Sequence, residues 1–161
     1  MTGGTPSEQG LAALAGWGLP GSSLLSSPSD GGRSLVERAE AARLLGRLLA
    51  AEAAGDLVLD AGVVEDAVDR QRRALLWCLR LEERLLEVDS WFARAGGTEC
   101  LVVKGIAIAH LDEPDPARRT FADVDILVAG RDLDRAAAVL IDHGARRPWP
   151  ERRPGYDPRF A

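Results

Sequence analysis

Two aspartates, Asp123 and Asp125, stand one residue apart in the short apolar run "ADVDILV". A β-strand disfavours aspartate, and two like charges on one face of a strand repel each other. The run is otherwise typical of a strand, because Val124, Ile126 and Val128 alternate in a way that predicts one face turned to a core. Such a strand needs something that compensates the two acidic charges.

Strand geometry indicates what that compensation could be. Successive side chains point to opposite faces, so Asp123 and Asp125 are predicted to share a face with their roots about 6 to 7 Å apart. Two carboxylates at that spacing suit a hard cation such as Mg²⁺, which takes carboxylate oxygens and keeps water or substrate phosphates in its remaining positions. The alternative is an edge strand facing solvent with two tolerated acids.

A second motif lies upstream of the two aspartates. The apolar run "CLVV" predicts a strand, and Lys104 and Gly105 follow it directly and open the short helical stretch "GIAIAHL". A glycine turn with free backbone amides and a lysine beside it is a place where an anion can dock. Taken alone, the same pattern is also typical of an ordinary turn with a solvated lysine.

The order of these motifs resembles a known family. The segments "LVVKGIAIAH" and "RTFADVDILV" are similar to the poorly characterised stand-alone nucleotidyltransferases of the DNA polymerase beta superfamily. The resemblance covers roughly residues 99–144, including the predicted helix "RDLDRAAAVLIDHG". It implies an α+β fold in which a helical N-terminal part precedes a nucleotidyltransferase α/β core.

The resemblance also assigns a role to each residue of the motifs. Lys104 and Gly105 correspond to the turn that holds the triphosphate, and Arg119 to a nucleotide-binding arginine before the acidic strand. Asp123 and Asp125 correspond to the catalytic ligands of two Mg²⁺ ions. The implied reaction moves a nucleoside monophosphate from an NTP to a hydroxyl group of an unknown acceptor.

One part of the superfamily pattern has no evident counterpart. The third carboxylate of the superfamily comes from a later strand, whereas Gly144 is followed by "ARRPWPERRPGYDPRFA", where Glu151 and Asp157 lie among prolines that disfavour a central strand. We therefore expect an incomplete core. The alternative to an enzyme is a catalytically inactive relative that serves as a protein-binding module. A third carboxylate in a continuation of the chain favours the enzyme, and a natural stop at Ala161 favours the inactive relative.

Composition divides the chain into three predicted parts. Residues 1–33 are rich in Gly, Ser and Pro and are predicted to form a disordered leader. Residues 34–95 form a helical region, with a Ser34/Glu37 capping box and a Gly55 stop for its first helix. Residues 96–161 hold the α/β core and a basic, Pro- and Arg-rich end. A second helix is predicted from about Asp60 to Ala95, with an apolar stripe of Val64, Val68, Leu75, Leu79 and Leu86.

Charge and cysteine content limit the setting of the protein. The net charge of -5 gives no indication of nucleic-acid or membrane binding, and the first residues lack the basic start and apolar stretch of a signal peptide. The two cysteines are far apart in the chain and have no metal-ligand spacing, so neither a disulfide scaffold nor a zinc site is indicated. We expect a soluble cytoplasmic protein whose unpaired sheet edge favours self-association.

Overall fold

The computed structural model of the chain describes residues 6–21 and 28–146. Helices dominate this part, and a small antiparallel sheet lies near its C-terminal end, which confirms the predicted α+β class. No helix in these two ranges is both long enough and apolar enough to cross a bilayer. The elements are α1 (Pro6–Gly16), α2 (Arg33–Ala41), α3 (Leu45–Ala53), α4 (Ala61–Arg94), β1 (Cys100–Val103), α5 (Gly105–Leu111), β2 (Asp125–Val128) and α6 (Leu133–Asp142).

The first helix lies inside the segment that composition predicts to be disordered. Leu14 of α1 is fully buried in the largest apolar cluster of the molecule. The Arg47 guanidinium donates a hydrogen bond to the backbone oxygen of Ala15, and Trp17 donates one to the carboxylate of Asp56. The leader prediction is therefore wrong for residues 6–16, because burial against other helices overrides weak local composition. Residues 1–5 and 22–27 lie outside the described ranges.

The predicted first helix is divided into two. The Asp30 carboxylate, rather than Ser34, caps the start of α2 by accepting the backbone N–H groups of Gly32 and Ser34 at 3.1 and 3.0 Å. The helix ends because Arg43 has a left-handed backbone, with φ of 60°. After α3, Gly55 has φ of 79° and marks the stop that the sequence predicts.

Helix α4 is the long helix that the sequence predicts, and with 34 residues it is about 50 Å long. Its buried face differs from the predicted stripe, since Leu79 and Leu86 are 60% and 71% exposed. Small or polar side chains form part of the buried face, and one of them, Gln71, donates a hydrogen bond to the Ala117 backbone oxygen at 2.6 Å. The buried residues of α4 are Val63, Ala67, Gln71, Cys78, Val88 and Phe92.

Strands β1 and β2 pair antiparallel, with Val103 opposite Asp125 and Val102 opposite Ile126. The helices α4, α5 and α6 pack on one face of this sheet through two small apolar clusters that include Val102, Val124, Ile126 and Val128. The prediction that the valine and isoleucine positions face a core is confirmed. Strand β2 begins only at Asp125, so the expectation that Asp123 also lies within the strand is wrong.

Candidate active site

The turn between β1 and α5 has an unusual backbone. Lys104 has φ of 58° and ψ of -124°, a conformation that side-chain-bearing residues rarely adopt, and Gly105 then starts α5. A β-carbon at position 105 would lie 2.6 Å from Cβ of Phe121. Gly105 is therefore required by the close approach of the chain just before the acidic motif. The turn carries the backbone strain at Lys104 instead of at the glycine.

The lysine of this turn meets the second aspartate of the motif. Lys104 Nζ lies 3.0 Å from Asp125 Oδ1, and the two residues come together because Val103 and Asp125 are paired in the sheet. The lysine side chain is 72% exposed and the aspartate side chain 34% exposed. An exposed ion pair of this kind contributes little to stability. Both groups remain accessible to a ligand.

The first aspartate of the motif faces a different cation. Asp123 Oδ1 lies 3.8 Å from Nη1 of Arg43, and its side chain is 73% exposed. Arg43 comes from the break between α2 and α3, eighty positions earlier in the chain. Sequence analysis missed this arginine, because an arginine in a helical run gives no signal that the helix breaks there. Each carboxylate of the motif thus has a cationic neighbour from the chain itself.

Arg119 does not join this group. Its side chain is half-buried, its Nε is buried without a hydrogen-bond partner, and no ion pair links it to Asp123 or Asp125 in the described part of the chain. The structure brings together Lys104, Gly105 and Asp125, with Asp123 beside them, and leaves the predicted arginine apart. The role assigned to Arg119 stays a prediction.

Helix α4 holds the segment that leads into Asp123. The Phe121 backbone N–H donates to the Cys78 sulfur at 3.3 Å, and the thiol donates to the Phe121 backbone oxygen at 3.4 Å. Burial raises the pKa of the Cys78 thiol, which therefore stays protonated and able to donate. Next to it, Trp77 Nε1 donates to the Ala122 backbone oxygen at 3.3 Å. These bonds fix residues 121 and 122 on α4 immediately before the acidic motif.

The carboxylates fit a magnesium site only in part. Asp123 and Asp125 supply the hard oxygen donors that Mg²⁺ prefers, and the Lys104 ammonium already holds a positive charge against Asp125. Within residues 6–21 and 28–146, no cluster of three or more Asp, Glu, His or Cys residues is arranged to hold a metal. Glu151 and Asp157 lie outside the described residues. The donor set therefore suits an ion that completes its shell with substrate phosphates.

Comparison with known proteins identifies a family. The family model described as "uncharacterised nucleotidyltransferase" matches residues 29–160, which is most of the chain. No curated protein and no solved structure matches the chain. The match includes every residue of the Lys104–Asp125 site as well as the helices α2, α3 and α4 that support it.

Proposed function

The chain belongs to the uncharacterised nucleotidyltransferase family, and from that membership we propose that it transfers a nucleoside monophosphate from an NTP to a hydroxyl group of an acceptor, with Mg²⁺ as cofactor. The transfer would take place at Lys104, Asp123 and Asp125, in the cytoplasm. The family supports a nucleotidyltransferase-like domain. The metal requirement and the two substrates are our proposal.

The contact between Lys104 and Asp125 is the observation that carries this proposal. It places a cation for a phosphate group and a carboxylate for a metal ion within one hydrogen bond of each other, at the end of the two-stranded sheet. Mg²⁺ in phosphoryl-transfer sites is commonly held by one or two carboxylates together with the phosphates of the substrate. The two accessible aspartates meet that need once the NTP is bound.

The residues of the chain would then act by binding and positioning. Lys104 would exchange its partner Asp125 for the triphosphate, which frees the aspartate for the cation. Mg²⁺, when bound, supplies electrostatic stabilisation of the charge on the phosphoryl oxygens. The acceptor oxygen forms a bond to the α-phosphorus, the bond from that phosphorus to the β-phosphate oxygen breaks, and pyrophosphate leaves with the electron pair. The hydroxyl proton passes to solvent.

One observation favours a second candidate, an inactive nucleotidyltransferase-like protein-binding module. Asp123 and Asp125 each have a cation of the chain beside them, and no third carboxylate joins them among residues 6–21 and 28–146. A site neutralised in this way is stable without a metal. If the protein is this inactive module, NTPs with Mg²⁺ should leave its Tm unchanged.

Thermal unfolding with each of the four common NTPs distinguishes the two candidates. A ligand that binds only the folded state raises the free energy of unfolding by about 2.7 kcal/mol at one hundred times its Kd. We expect at least one NTP to raise Tm with Mg²⁺, and Asp125→Asn to abolish the magnesium-dependent part of that rise. Asp112→Asn, which alters an exposed carboxylate at the end of α5, is the matched control and should keep the full response.

Turnover is measured separately as pyrophosphate released from labelled NTP, with a panel of sugar, nucleotide and protein hydroxyl acceptors. Magnesium-dependent release that disappears in Asp125→Asn supports the enzyme. A Tm that none of the four NTPs changes, at millimolar concentration with Mg²⁺, would overturn the proposal in favour of the protein-binding module.

A further inference from the structure

A shallow open cleft of about 350 Å³ lies beside Asp123. The break between α2 and α3 forms one wall, α4 forms another, and residues 120–122 form the floor. Arg43 joins the cleft to the acidic motif, since it lines the cleft and lies 3.8 Å from Asp123. The lining residues are Glu40, Arg43, Arg70, Arg73, Ala74, Trp77, Thr120, Phe121 and Ala122.

Three guanidinium groups line this cleft against the single carboxylate of Glu40. Arg70 is held by Glu40 at 2.6 Å and by Asp66 at 2.8 Å, two contacts that raise its pKa further. Arg73 forms no ion pair in the part of the chain that the structure describes. Asp66 and Asp123, just outside the cleft, offset the charges of Arg70 and Arg43, so Arg73 is the lining arginine that is available to a ligand.

An aromatic ring completes the cleft. Trp77 is 50% exposed, although its indole N–H is fixed by the Ala122 backbone oxygen. The hydrogen bond holds the ring in place on α4 without covering it, so the ring can stack on a planar group at a small cost in conformational entropy. Arginines and a half-exposed tryptophan in one cleft match a ligand that combines a phosphate with an aromatic ring.

We propose that this cleft binds the acceptor substrate and that the acceptor is a nucleoside monophosphate. The phosphate would pair with Arg43 and Arg73, and the base would stack on Trp77. This inference rests on the proposed transferase function. Lys104 lies against Asp125 and would hold the triphosphate of the donor, whereas Arg43 lies against Asp123. The donor NTP would then lie on the Lys104 side of the acidic motif, and the acceptor would lie on the Arg43 side.

The first test is direct binding of AMP in EDTA, measured by calorimetry. Because neither the cleft nor the phosphate contact requires a metal, we expect binding without Mg²⁺. Adenosine, which lacks the phosphate, and ribose 5-phosphate, which lacks the base, should each bind at least ten-fold more weakly than AMP. The absence of AMP binding at 10 mM, or equal binding of adenosine and AMP, would overturn the proposal.

Adjacent arginines on α4 provide a matched pair of variants. Arg73→Gln should weaken AMP binding at least ten-fold, since a charge-assisted bond to phosphate is lost. Arg72→Gln should leave AMP affinity within two-fold, because Arg72 lies outside the cleft and pairs with Asp69. Equal effects of the two substitutions would overturn the location of the site. Circular dichroism of both variants checks that the fold is retained.

Competition separates this inference from the function on which it rests. We expect Mg²⁺ with ATP to leave AMP affinity unchanged, and Asp125→Asn to leave AMP binding in EDTA within two-fold. Displacement of AMP by the magnesium nucleotide would assign the cleft to the donor and overturn the acceptor role. If AMP binds but no NTP changes Tm, both the transferase function and the acceptor role are refuted. The cleft would then remain a nucleotide-binding site of another function.

Discussion

The N-terminal helices and the C-terminal α/β unit are built in different ways. Helices α1, α2, α3 and the first part of α4 surround one continuous cluster of buried aliphatic side chains, which includes Leu14 and Leu48 at 0% exposure. The α/β unit has two small clusters, and Leu101 and Leu127 on the second face of its sheet are 63% and 59% exposed. The helices thus supply most of the burial, and the site occupies the part with the least.

Helix α4 joins the two parts physically. Its N-terminal residues Val63 and Ala67 belong to the helical cluster, and Cys78, Val88 and Phe92 belong to the two clusters beneath the sheet. An open α/β unit can therefore rely on a helix that is anchored elsewhere. The comparison predicts that substitutions in the helical cluster cost stability, and that substitutions at the site change ligand binding instead.

The largest expected effect is in the helical cluster. Leu48→Ala should lower the free energy of unfolding by about 2 to 5 kcal/mol, because it removes a fully buried side chain and leaves a cavity. Leu101→Ala, the matched change on the open sheet face, should cost less than about 1 kcal/mol. Urea denaturation measures both. A large cost for Leu101→Ala would mean that the sheet face is covered in solution.

An intermediate effect is expected where the site touches its support. Gly105→Ala should cost about 1 to 3 kcal/mol, because the new methyl group would overlap Phe121. Gly62→Ala in α4 is the control, since nothing lies within 4 Å of the added carbon, and it should stabilise the protein by up to about 1 kcal/mol. If both substitutions had the same sign in urea denaturation, the close approach of Phe121 to the turn would be refuted.

The smallest expected effect is a gain in stability at the site. Lys104→Gly should raise the free energy of unfolding by about 1 kcal/mol, because glycine adopts the positive φ of 58° without strain. Lys104→Ala removes the same ammonium group and keeps the strain, so the difference between the two variants isolates the backbone term. Both should reduce the Tm response to NTP. If the Lys104→Gly protein were no more stable than the Lys104→Ala protein, the backbone of Lys104 would not be strained.

Much of the fold could be predicted, because α4, α5, α6 and the two strands follow from local pattern and from glycine stops. The helix break could not, since Arg43 occupies a left-handed position that usually takes glycine. The buried face of α4 was misassigned because Ala67, Gln71 and Cys78 are buried there, and a search for large apolar residues passes over them.

The candidate site divides in the same way. The resemblance to a family predicted that Lys104 and Asp125 belong to one site, and their ion pair follows from the pairing of two strands that are near in sequence. The approach of Arg43 to Asp123 depends on how the helices dock against the sheet. Packing between distant segments decides that contact, and no local pattern in the sequence encodes it.

Two hydrogen bonds between Cys78 and the Phe121 backbone hold the segment before the acidic motif, and the bond that the thiol donates requires its proton. This segment should therefore stay in place only up to a limiting pH. The folded chain holds the thiol proton more tightly than the unfolded chain, because burial raises the pKa of this group above its ordinary value of 9.0. The stabilisation is complete below that value and is lost as the pH rises through the higher folded pKa. Alkaline solution should therefore release the peptide that positions Asp123 before it disturbs the helical cluster, which contains no ionisable side chain.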